Sequence, residues 1–215
     1  MQVSADLSPL VEGYRRFRAS GWHPHRDRWS ALKEGQEPRV MVIACSDSRV
    51  DPAQVFDTAP GEIFVVRNVA ALVPPFETTA GHHGVSAAVE FAVQVLGVGE
   101  IVVMGHGMCG GCKAALSKGY ADAEKGAGGF VADWIAMLDD AQANVAARHG
   151  TDGREAERAM EMAAVGVSIE NLRTFPFVAD KVESGALRLT GAFFAISDGL
   201  LHLRDPETGT FAPVE

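Results

Sequence analysis

The sequence predicts an α/β fold: a mostly parallel central sheet flanked by helices, with an amino-terminal helical arm. Three observations carry that prediction. Three short unbroken apolar runs, Val40-Met41-Val42-Ile43-Ala44, Ile63-Phe64-Val65-Val66 and Ile101-Val102-Val103-Met104, are rich in β-branched residues, the pattern of strands buried on both faces. A helical segment over 84–96 separates the second run from the third, and strands joined by such crossovers pair in parallel. The 215 residues are 47% hydrophobic and 22% charged, which suits one sizeable core and excludes a disordered chain.

In chain order, Ser8 is expected to cap a helix that places Leu10, Val11, Tyr14 and Phe17 on one apolar stripe. This arm, residues 1–35, would pack on a partner subunit. Its arginines, Arg15, Arg16, Arg18, Arg26 and Arg28, read as a solvated face or a subunit contact. Lys and Arg total 19 against 28 for Asp and Glu, a formal charge of -9, which opposes nucleic acid and anionic membranes as partners. Helices are expected at 110–118, 130–148 and 154–172, with Pro176 stopping the last. A final strand pair, 187–196 and 200–203, would turn at Asp198-Gly199. Apart from a Gly-rich loop at 125–129 nothing is low in complexity, so 1–215 reads as a single domain. No apolar run approaches the ~18 residues of a membrane span and no signal-like segment opens the chain, so the expected location is the cytoplasm.

Cys45, Cys109 and Cys112 are an odd number of thiols in a chain too large to need disulfides. In an open parallel sheet the site lies beyond the carboxyl ends of the strands. The first strand ends in Cys45-Ser46-Asp47-Ser48-Arg49 and the third in Gly105-His106-Gly107-Met108-Cys109-Gly110-Gly111-Cys112. If those strands are neighbours, Cys45, His106 and Cys109 converge. Two thiolates and an imidazole suit zinc, with a fourth position open to water or a carboxylate, as in a catalytic site. Each residue also has an ordinary use, as a small buried hydrophobe, a satisfied polar group or a helix cap.

The blocks Ala44-Cys45-Ser46-Asp47-Ser48-Arg49-Val50, Phe64-Val65-Val66-Arg67-Asn68-Val69-Ala70, Leu72-Val73-Pro74-Pro75, Ser86-Ala87-Ala88-Val89-Glu90-Phe91 and Gly105-His106-Gly107-Met108-Cys109-Gly110-Gly111, with Ser168-Ile169-Glu170-Asn171-Leu172 later, resemble those of the β-class carbonic anhydrases in type and order. The match runs from about Gln36 to the carboxyl terminus. The resemblance implies one zinc per chain on Cys45, His106 and Cys109, a catalytic dyad of Asp47 and Arg49, and reversible hydration of carbon dioxide to bicarbonate and a proton. It also implies at least a homodimer, or a dimer of dimers, since pocket residues in the family reach across the dimer interface. Asp47 would orient the zinc-bound hydroxide, and Arg49 would keep Asp47 ionised; if the pair opens, Asp47 becomes a fourth ligand in a closed state. Two thiolates cancel the charge of the metal, so activity is expected to rise towards alkaline pH, and rapid-mixing assays would show it.

By the same resemblance Gln36, Phe64, Val69 and, after a one-residue adjustment, Phe91 match a carbon dioxide pocket, with the Gly110 amide as a further donor. Val42 stands where members with an inhibitory bicarbonate site carry Trp, so that site is not expected. Phe91 and Val95 replace the Tyr and His of plant-type members, leaving His82 and His83 as a proton shuttle or as a loop pair without that role. Three other readings stay open. Cys109-Gly110-Gly111-Cys112 has redox spacing, which would make a thiol-disulfide oxidoreductase. A metal-binding module without turnover is another. Carbonyl sulfide or carbon disulfide hydrolysis on the same zinc site is the third, decided by pocket access.

Overall fold

A computed structural model describes residues 6–215. The chain divides into two compact units, one running to Glu37 and one from Pro38 to Glu215. The first holds α1 (Ser8–Arg16), a wider helical turn at Phe17–Trp22, and α2 (Arg26–Leu32). Ser8 does not cap α1. Leu7 holds that position, while the Asp6 carboxylate two residues upstream accepts the Ser8 amide at 2.9 Å. The amides that a Ser8 cap would serve, those of Leu10 and Val11, both donate to the Leu7 carbonyl at 3.0 Å. Leu10, Val11, Tyr14 and Phe17 are exposed, and Phe17 meets Trp29 of α2 edge to face at 5.9 Å.

Among the described residues of the second unit, six strands form one sheet in the order β2-β1-β3-β4-β5-β6. They are β1 (Val40–Cys45), β2 (Ile63–Asn68), β3 (Glu100–His106), β4 (Arg188–Ala195), β5 (Leu200–Arg204) and β6 (Phe211–Pro213). The pairs from β2 through β4 are parallel, and β4-β5 and β5-β6 are antiparallel. The helices of this unit are α3 (Pro52–Val55), α4 (Gly84–Glu90) continued by a wider turn at Phe91–Leu96, α5 (Gly110–Ser117), α6 (Gly129–Ile135), α7 (Asp139–His149), α8 (Arg154–Arg173) and α9 (Pro176–Glu183).

Alternate residues of β1 enter different cores, which is what a strand covered on both faces requires. Met41 and Ile43 pack with Ile101, Val103, Val165 and Leu172, whereas Val42 and Ala44 pack with Met104 and Ala192. Two helix expectations need correction. The 130–148 segment is broken by a tight turn at Ala136–Leu138, so that α6 and α7 are separate. Pro176 does not merely end a helix. It opens α9 as its first residue, where its missing amide costs nothing.

The long helix α8 lies close against β3 because Gly105 has no side chain. A Cβ added there would fall 2.6 Å from Val165 Cγ2, well inside van der Waals contact. Gly105→Ala is therefore expected to overpack this interface and cost about 1–3 kcal/mol, seen as a lower midpoint in urea unfolding. Adding Val165→Ala to the same chain should recover part of that loss, because it removes the methyl that clashes.

Candidate active site

The sheet order makes β1 and β3 direct neighbours running the same way, so their carboxyl ends lie side by side. Cys45 ends β1 and His106 ends β3. Met108 then takes a left-handed φ of 59°, which reverses the chain and brings Cys109 back to open α5. The ligand atoms of Cys45, His106 and Cys109 all lie within 4.8 Å of one another, and all three residues are buried. The two sulfurs are 4.0 Å apart. Two thiolates on a tetrahedral zinc with ~2.3 Å bonds would stand about 3.8 Å apart. His106 Nδ1 pairs with the Gly107 carbonyl at 2.9 Å, and Nε2 is buried with no hydrogen-bond partner. An imidazole whose Nδ1 is occupied by a carbonyl presents the Nε2 lone pair to a cation. The donor set thus fits a metal ion.

The thiols show what they need. Cys45 is pushed up to about 12, first by its hydrogen bond with Cys109 and then by burial. Cys109 is likewise pushed up to about 12, first by the Cys112 thiol beside it. Left to themselves these sulfurs keep their protons, and a cation must displace them.

Next to the ligands lies a carboxylate gripped from one side. Arg49 donates from Nε to Asp47 Oδ1 at 2.9 Å and from Nη2 to Asp47 Oδ2 at 2.6 Å. This two-pronged bond holds the Asp47 carboxyl well below the usual carboxylate range. The stability it contributes is present above the ordinary carboxylate value and is lost only as pH falls through that depressed one. Asp47 therefore stays ionised throughout the neutral and alkaline range. Its Oδ2 is 4.0 Å from His106 Nε2.

The remaining sequence candidates separate by location. Gly110 is the first residue of α5, where the helix leaves its amide without an intrahelical acceptor. Val69 follows β2 directly, and a Cβ on Gly111 would lie 2.8 Å from Val69 Cγ1, so Val69 borders the ligand loop. Phe64 pairs with Met41 while Asn68 pairs with Cys45, so Phe64 sits about 13 Å back along β2 from the ligand end. It stacks on Phe91 at 5.9 Å. Gln36 belongs to the first unit and is exposed. Cys112 is buried at the start of α5 among Leu116, Ile135 and Leu138. His83 is held by the Thr79 carbonyl at 2.9 Å and lies 3.4 Å from Glu77.

The family model described as carbonic anhydrase matches residues 40–201. A carbonic anhydrase of Pseudomonas aeruginosa is 36% identical over 206 residues, covering 95% of this chain and 90% of its own. The chain belongs to the carbonic anhydrase family. Its class is the β-class: the solved β-carbonic anhydrase CcaA matches with a TM-score of 0.88 at 29% identity, covering 97% of this chain and 92% of that one. One of two tetrameric β-carbonic anhydrases from Sordaria macrospora matches with a TM-score of 0.72 at 26% identity, covering 95% and 94%.

Three supporting residues of this carbonic anhydrase escape a reading of the sequence. Arg67 of β2 donates to the Cys45 carbonyl at 2.9 Å, the Asp47 carbonyl at 2.6 Å and the Asp51 carboxylate at 3.0 Å, pinning the loop that runs from Cys45 to Asp51. Trp134 of α6 donates to the Val69 carbonyl at 2.8 Å. That bond helps hold a turn in which Ala70 and Ala71 both have left-handed φ values, 63° and 56°. Glu161 of α8 accepts the Cys109 amide at 3.1 Å. Glu161 leaves a signal in the sequence as a charge on the apolar face of its helix, and Arg67 stands inside one of the blocks that carry the family resemblance without its partners being readable there.

Proposed function

We propose that this carbonic anhydrase is a zinc enzyme that hydrates carbon dioxide reversibly to bicarbonate and a proton, with one ion per chain on Cys45, His106 and Cys109. The observation that carries this reading is a buried Cys-His-Cys donor set beside a carboxylate whose two oxygens are both held by one arginine. Zinc held there would supply an acidified water as the nucleophile for carbon dioxide. The chain's own groups do the rest. Asp47 accepts a hydrogen bond from the nucleophile and orients it, and Arg49 keeps that carboxylate ionised and off the metal. Should the pair part, Asp47 would serve as a fourth ligand in a closed state.

The Gly110 amide is the candidate donor to substrate, and Val69 is the candidate apolar wall from the same chain. Phe64 and Phe91 lie too far back along the fold to line their own centre. They serve a pocket only in a second copy, which supports a homodimer or a dimer of dimers, as does the tetrameric state of the Sordaria relative. Gln36 is proposed as the amide of the carbon dioxide pocket, and the exposed stripe of the arm as a surface for a partner subunit. We place the enzyme in the cytoplasm, acting on a small neutral solute, with neither nucleic acid nor membrane as partner; no helix among the described residues is long and apolar enough to cross a bilayer.

Zinc per chain and carbon dioxide hydration, measured together, test this reading. One zinc and activity rising from neutral to mildly alkaline pH are expected. Bound zinc with no hydration at alkaline pH would sink it, and turnover of carbonyl sulfide or carbon disulfide in its place would identify the sulfur-analogue hydrolase. Metal affinity should itself depend on pH. Two thiols that hold their protons to about 12 must each release one, so apparent zinc affinity should fall by up to about a hundredfold per unit drop in pH. Chelator competition across a pH series measures that slope.

A further inference from the structure

Glu161 has only 2% of its surface exposed. It sits on a face of α8 otherwise made by Met160, Ala164, Val165, Ser168 and Leu172. A buried carboxyl group in such surroundings needs a partner, and of its two oxygens only Oε1 has one, Oε2 being buried without. Its Oε1 accepts the amide of Cys109 at 3.1 Å. The carbonyl of that same peptide group, Met108 O, accepts from Arg49 Nη2 at 3.0 Å. The same Nη2 grips Asp47 Oδ2 at 2.6 Å.

A peptide group is planar, with its N–H and C=O pointing in opposite directions, so fixing one end aims the other. We infer that Glu161 is a positioning residue for the dyad: by holding the Cys109 amide it turns the Met108 carbonyl onto Arg49 and thereby sets the guanidinium that grips Asp47. The local backbone does not secure this arrangement unaided. Met108 has a φ of 59°, a region that a non-glycine residue keeps only when its surroundings impose it. Without an acceptor behind Cys109 the peptide is free to rotate, the Met108 carbonyl leaves Arg49, and Asp47 is less firmly kept from the metal. Three hydrogen bonds in series thus run from a buried helix to the reacting group.

The test compares three variants of the metal-loaded protein, well below their melting temperatures. Glu161→Gln keeps an acceptor oxygen at the same reach. Glu161→Asp keeps the carboxyl group but withdraws it by one methylene. Glu161→Met keeps the bulk and loses the acceptor. At equal zinc content E161Q should stay within about threefold of wild-type kcat, whereas E161D and E161M should fall about tenfold or more, the usual scale for partners of metal ligands. The visible spectrum of the cobalt(II)-loaded protein, which reports the groups around the metal, should change in E161D and E161M and be preserved in E161Q.

A merely structural role would lower the melting temperature of all three without this split. An E161M protein with wild-type kcat and cobalt spectrum overturns the inference, as does an E161Q protein that loses as much as E161D. If E161M does not fold, E161D and E161Q decide between them. The kinetic arm rests on the carbon dioxide reading, and a wild type that hydrates nothing would refute that reading, while the cobalt spectra would still judge Glu161.

Discussion

Replacing Cys45 with serine should abolish hydration by emptying the metal centre. A serine hydroxyl does not ionise in the range where a thiol beside a cation does, so the chain would keep two ligands of three. Structural zinc sites bind with roughly 10–16 kcal/mol over four ligands, which makes one ligand worth about 3 kcal/mol, or on the order of a hundredfold or more in affinity. Metal analysis after dialysis should find little zinc in Cys45→Ser and a full complement in wild type. The protein should stay folded, since Cys45 occupies one position in a core that also holds Leu72, Leu116 and Met160. A variant that retains both zinc and activity would remove Cys45 from the ligand set.

The opposite pattern is expected at Asp47. Asp47→Ala leaves all three metal ligands in place, so zinc should remain while kcat drops by about a hundredfold, the upper scale for groups that orient a metal centre. Arg49→Ala should lose a comparable amount for a different reason: it frees a carboxylate only 4.0 Å from His106 Nε2. Because the two residues act as one unit, the double variant should be little worse than either single. Losses that multiply would show that Asp47 and Arg49 work separately.

The Cys-His-Cys cluster was legible because strand ends are where an α/β sheet concentrates its chemistry, and both ends carry reactive residues in the sequence itself. Cys45 and His106 needed only the assumption that their strands are neighbours. The supporting residues were not legible in the same way. Arg67 looks like an ordinary charge in a strand, and only its hydrogen bonds to the Cys45 and Asp47 carbonyls show what its side chain does. Trp134 reads as core filler until its indole is seen to face a carbonyl. Among the fold elements, β6 is three residues long and α3 four, too short for any period to register. Pro176 carried an ambiguity that no local pattern resolves, since proline both ends one helix and begins the next.

The position of β1 and β3 inside the sheet, each hydrogen-bonded along both sides, also governs how slowly the centre comes apart. Segments paired on two sides open only with their neighbours, in the rarest fluctuations a protein makes, whereas short terminal strands such as β6 open readily. Cys45 and His106 lie at the ends of these two strands, paired on one side each, Cys45 with Asn68 of β2 and His106 with Phe194 of β4. An ion bound between them would bridge two strands that open only with their neighbours, so its retention is expected to follow the cooperativity of the sheet rather than the motion of a loop.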